Sequence, residues 1–148
     1  MNPVAILSGL LGLWGQWTKS RPVVSVIADP IFGSGQRYLY VVVKNPAQAQ
    51  IRITSVSVDP PLFEVWSNDS VDGATDAWNG IKASAFIDPE AEHRFPINVP
   101  GDVSEENQDI LCKITVRWQS MRHENIPCIP AIHRKSIRTL RAQQNNKA

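Results

Sequence analysis

The stretch ILCKITVRW, residues 110–118, sets apolar and polar residues in strict alternation. Ile110, Cys112, Ile114, Val116 and Trp118 share one parity, and Leu111, Lys113, Thr115 and Arg117 share the other. Successive side chains of an extended chain point to opposite faces, so this period of two predicts a strand with one face in a core and the other toward water. The same β-branched and aromatic enrichment recurs on both sides of it. PVVSVIA, RYLYVVVKN, QIRITSVSV, LFEVW, IKASAFI, HRFPINV and IPAIHRKSI are short, and Pro, Gly, Asn or Asp punctuate them.

In QIRITSVSV, Ile51 and Ile53 hold one parity while Val56 and Val58 hold the other, which predicts a bulge near Thr54 and Ser55. No helical pattern of 10 to 15 residues separates successive strands, as a parallel sheet with crossover helices would require. The pairing is therefore expected to be antiparallel. Seven or eight strands in about 120 residues is the complement of a two-sheet sandwich. The run VVVKNPAQAQIRITSVSV resembles the paired strands of immunoglobulin-like domains, and ILCKITVRW resembles their late central strand. The resemblance runs from Pro22 to about Ile137 and implies a single antiparallel β-sandwich, immunoglobulin-like or jelly-roll-like. It departs from the antibody type because no early cysteine is present to pair with Cys112 and Ile110 stands where a tyrosine corner would be. A shared architecture carries no activity with it.

The 148 residues suit one core, with 43% apolar and 20% charged residues and with 11 Pro and 8 Gly marking frequent turns. A formal net charge of +1 excludes a whole-molecule field that would steer nucleic acid or acidic substrates, so any electrostatic role is local. Two cysteines, Cys112 and Cys128, do not make a disulfide framework and fit a reducing, cytoplasmic compartment.

Three segments are expected: an apolar leader over 1–21, the sandwich over 22–140 and a polar basic tail over 141–148. Asn2 and Pro3 are a helix start signal, and a short helix from Pro3 to Trp17 would gather Ile6, Leu10, Leu13 and Trp17 with Leu7, Leu11 and Trp14 beside them. At 1.5 Å per residue that helix is about 22 Å long, short of the roughly 30 Å hydrocarbon layer of a bilayer. The basic start and small-residue cleavage site of a signal peptide are missing from it. Gly9, Gly12 and Gly15 each cost about 1 kcal/mol relative to Ala, so such a helix needs a surface to lean on. The seven large apolar residues are expected to dock into a protein partner, into a second copy of the chain or into a membrane surface.

Chemical motifs are few. Cys112, His123, Cys128 and His133 lack a recognised zinc spacing, and NDSVDGATD (68–76) fails as an EF-hand loop because Asn79 stands where its bidentate Glu belongs. Asp69, Asp72 and Asp76 remain oxygen donors in a solvated loop. Glu90, Glu92 and His93 cluster in sequence, yet Glu92 and His93 are adjacent in an extended run and face opposite ways. Phosphate-binding loops and nucleophile elbows are absent, so no enzyme, cofactor or resident metal is expected.

After Glu124 the chain carries Arg134, Lys135, Arg138, Arg141 and Lys147 and no acid. A helical tail would line up Arg134, Arg138 and Arg141 for phosphates, anionic lipid or an acidic protein groove. No aromatic residue interleaves for base stacking, which argues against sequence-specific nucleic-acid recognition.

The expected function is a non-enzymatic structural or adaptor module in a larger assembly, such as a virion or other multi-copy particle, attached through its leader. The alternatives are a peripheral membrane protein with an interfacial anchor, and a carbohydrate-binding sandwich that uses Trp66 or Trp78 as a stacking platform.

Overall fold

A computed structural model describes residues 21–30, 37–66, 85–122 and 128–145. Eight strands appear among them, and each overlaps a run expected from the sequence. They are β1 (Val23–Pro30), β2 (Arg37–Lys44), β3 (Ile51–Asp59), β4 (Glu64–Val65), β5 (Ala85–Ile87), β6 (Glu92–Asn98), β7 (Cys112–Ser120) and β8 (Ala131–Lys135). All pairings are antiparallel, as expected. The first sheet has the order β1-β2-β6-β4 and the second β5-β3-β7-β8.

The two sheets form a sandwich because each offers one apolar face. Val26, Leu39, Val41, Val43 and Phe95 of the first sheet join Ile51, Ile53, Val56, Ile87, Cys112, Ile114, Val116 and Ala131 of the second in one core. Phe63, just before β4, completes it. Burying an aromatic of this size contributes about 2–3 kcal/mol. Within β7, Cys112, Ile114 and Val116 are fully buried and Trp118 is half-buried, as the alternation predicts, whereas Ile110 precedes the strand and is exposed.

The bulge falls at the expected place. Ile53 pairs with Trp118 and Ser55 with Arg117, so Thr54 is the extra residue. Its hydroxyl donates to the carbonyl of Arg117 at 3.2 Å. The consequence is a change of parity, with Ile51 and Ile53 pointing inward before the bulge and Val56 after it.

The connection from β2 to β3 carries the chain from one sheet to the other, and it turns on Asn45. This side chain is fully buried. Its Oδ1 accepts the Ala47 amide at 3.0 Å, an Asx turn ahead of which Pro46 holds the backbone. Its Nδ2 donates to the carbonyls of Ala49 (2.8 Å), Ile87 (3.1 Å) and Asp88 (3.2 Å), two protons being shared among three acceptors. Its backbone amide donates to Ala91 at 2.9 Å. Ile87 ends β5 and Ala91 precedes β6, so the β5–β6 crossing between the sheets is tied to the same residue.

Departing from the expected basic tail, a helix α1 (Ile137–Asn145) runs through the boundary set at residue 141. Ser136 caps it, its Oγ accepting the Thr139 amide at 3.2 Å and its carbonyl the Leu140 amide at 3.0 Å. Ile137 and Leu140 are fully buried in the core, and Gln143 Nε2 reaches the Val26 carbonyl of edge strand β1 at 3.4 Å. A helix laid against an edge strand uses hydrogen-bonding groups that would otherwise be a template for foreign strands. The opposite edge is protected by brevity, since β4 and β5 have two and three residues.

Replacing Asn45 with Ala leaves the Ala47 amide, the Ile87 carbonyl and the part-buried carbonyls of Ala49 and Asp88 without their partner. Asn45→Ala is expected to lower the unfolding free energy by about 2–4 kcal/mol, as read from the midpoint of urea unfolding.

Candidate functional site

The leader joins the sandwich at the edge shared by β1 and β8. Arg21 donates through Nη2 to the carbonyl of Pro130, a bond between the chain entering β1 and the chain entering β8. Pro22 is buried beside it. From β7, Trp118 Nε1 donates to the Ile129 carbonyl at 2.9 Å, so the segment before β8 is held from two sides. Apolar side chains remain uncovered within two residues of this junction: Val23 is 56% exposed, Ile129 43% and Ile132 41%. The leader residues Ile6, Leu7, Leu10, Leu11, Leu13, Trp14 and Trp17 lie outside the described residues.

The cations of the expected tail are dispersed. Arg134 and Lys135 belong to β8, while Arg138 and Arg141 belong to α1, so one helical stripe through Arg134, Arg138 and Arg141 does not form. Arg138 is bound to Asp109 through Nε at 2.7 Å and to Glu105 through Nη2 at 2.8 Å. The paired Arg138 guanidinium draws the Asp109 carboxyl below its usual range, and the two carboxylates raise Arg138 further. Arg141 donates to the Pro100 carbonyl at 2.9 Å. Two of the four cations therefore hold the helix on the domain rather than presenting charge outward, a role that sequence separation from residues 100–109 conceals.

The remaining sequence candidates are placed as follows. Glu92 and His93 point to opposite faces of β6: Glu92 is exposed, whereas His93 is on the inward parity with its ring 4.7 Å from that of Phe95. Trp66 is half-buried and its Nε1 donates to Glu64 Oε2 at 3.3 Å. Trp78, His123 and the loop with Asp69, Asp72 and Asp76 lie outside the described residues. Cys112 and Cys128 are not joined in a disulfide. Cys112 pairs with Lys135 at the far end of β8, whereas Cys128 precedes that strand, a separation beyond disulfide reach. Burial pushes the Cys112 thiol up, which keeps it in the inert neutral form. Among the described residues, no three His, Cys, Asp or Glu side chains gather as a metal site.

The outer faces of the two sheets differ in electrostatic character. On the first, Arg94 pairs with Asp29, lies 3.9 Å from Glu92 and sits 5.9 Å over the Tyr40 ring, which is edge-on to Tyr38. On the second, pairing across β5-β3-β7-β8 puts Phe86, Arg52, Ser55, Ser57, Arg117, Lys113, Arg134 and Ile132 on the outward parity. No family model matches the chain, and no curated protein matches it either.

His133 of β8 is half-buried with an unpartnered Nε2, and burial, aided by nearby Lys135, holds its pKa below the ordinary value. The unfolded chain then binds the proton more tightly than the folded one, so stability is full above about pH 6.5 and falls as pH drops from there toward the lowered folded value. Thermal midpoints taken between pH 8 and 5 should show that decline, and His133→Phe should reduce its slope.

Proposed function

We propose that this protein is a non-enzymatic structural or adaptor module, built into a larger assembly through its apolar N-terminal segment. The observation that carries the reading is the junction at β1 and β8. An apolar leader enters the domain beside Val23 and Ile129, exposed apolar residues on a framework held by Arg21 and Trp118, while Ile132 faces outward on the second sheet. A docking segment flanked by exposed apolar side chains extends the surface a partner can bury. Ile6, Leu7, Leu10, Leu11, Leu13, Trp14 and Trp17 are the anchors in this reading, and the partner is another protein or a second copy of the chain. A virion or other multi-copy particle made in the cytoplasm is a setting in which such attachment repeats.

The finer architecture belongs to the same proposal. In immunoglobulin-like domains one sheet runs A-B-E-D and the other holds C-F-G. The orders β1-β2-β6-β4 and β3-β7-β8 follow those two patterns, with β5 added beside β3. One departure is that β4 precedes β5 in the chain, whereas the added strand of variable-type domains comes before the D position.

Sizing chromatography of the full chain beside a version lacking residues 1–18 tests the reading. The full chain should assemble in detergent-free buffer, and the truncated chain should be a folded monomer. A full chain that stays monomeric and floats with liposomes would transfer the assignment to a peripheral membrane protein.

A further inference from the structure

The outer face of the second sheet concentrates positive charge that no ion pair among the described residues neutralises. Arg52 lies on β3, Lys113 and Arg117 on β7 and Arg134 on β8, all on one parity, against a single acid, Asp59, at one end. Arg52, Arg117 and Arg134 are exposed. Among the described residues none of the four enters an ion pair, in contrast with Arg94 and Arg138. Helix α1 rests against β1 and β2 rather than on this face.

One cross-strand pair sharpens the point. Lys113 and Arg134 stand directly opposite each other on β7 and β8. Like charges so placed are destabilising, and only Asp59, opposite Lys113 on its other flank, offsets the pair. Between the cations Ser55 and Ser57 add hydroxyls, and Phe86, 52% exposed, flanks Arg52 across from β5. Arg, Lys and Ser side chains contact nucleic-acid phosphates and sugars, and the helix among the described residues lies against β1 and β2 rather than projecting from this face to read bases in a groove.

The geometry points to sequence-independent binding of a nucleic-acid phosphate backbone across this face, with Arg52, Lys113, Arg117 and Arg134 as its contacts. The partner's phosphates add to Asp59 in offsetting the repulsion between Lys113 and Arg134, so removing Arg134 weakens binding without a matching loss of stability. A purely structural role for Arg134 does not produce that combination.

The test uses the full chain and a fluorescent mixed-sequence 20-nucleotide strand, alone and as a duplex, read by anisotropy over a salt series. Binding should weaken with salt at a log–log slope of about −3 for the single strand and about −3.5 for the duplex, from roughly 0.7 counterion per phosphate contact in single strands and 0.9 in duplex over four contacts. Arg117→Gln and Arg134→Gln should each reduce the slope by about one and the affinity about five- to tenfold, alike for unrelated sequences. Arg134→Gln should not lower the thermal midpoint, and Lys44→Gln, on the other sheet, should leave binding unchanged. The proposal is overturned if no binding is seen at 100 µM protein in low salt, or if both arginine variants bind as the parent does. Sedimentation with phosphatidylserine vesicles, lost in those variants while the oligonucleotide stays unbound, would also overturn it and assign the face to lipid.

Discussion

One buried carboxamide sets the geometry on which the rest of the molecule depends. Asn45 stands where the chain leaves the first sheet, and it binds the start of the β2–β3 connection, the end of β5 and the turn that leads into β6. Both of these crossings between the sheets are therefore referred to the same atoms. A buried amide with all its partners in place holds one arrangement, because any shift strands groups that cannot reach water. Register in β3 follows from this anchor, and through the β3–β7 pairing so does the position of every outward side chain on the second sheet.

The strands were legible in the sequence because alternation is a local property, and β7 showed it most cleanly. The bulge was legible too, as a change of parity within nine residues. Asn45 was only half visible: an Asn before Pro marks a turn, but its burial depends on carbonyls some 42 and 43 residues away in sequence. Helix α1 was obscured by its composition, since two apolar residues among basic and amide ones resemble a solvated tail. Ser136 was the one local signal that a helix begins there, and residues 100–109, which receive Arg138 and Arg141, could not be foreseen as neighbours.

Counting charge along the chain and mapping charge on the fold lead to different places. The C-terminal cations looked like a single contact surface, yet two of them secure the helix. The unpaired cations instead come mostly from strands that read as ordinary half-buried elements. Thr54 is responsible for part of this. Arg52 precedes the bulge and Ser55 and Ser57 follow it, so only the extra residue lets those three face the same side as Arg117. A defect in strand periodicity thereby assembles a surface that neither strand contains alone.

The sandwich thus offers three distinct outsides: an edge where the apolar leader enters, a first-sheet face where Arg94 is ion-paired, and a second-sheet face where four cations outnumber one acid and form no ion pair among the described residues. Their separation requires a rigid junction between the sheets, and native-state hydrogen exchange at the Ala47 amide measures that rigidity most directly. Ala47 lies in a connecting loop, and its amide is held by Asn45. The account predicts exchange only through global unfolding, with the same free energy as core amides such as Val116. An Ala47 amide that exchanged at the rate of an exposed loop, while β7 remained protected, would contradict it.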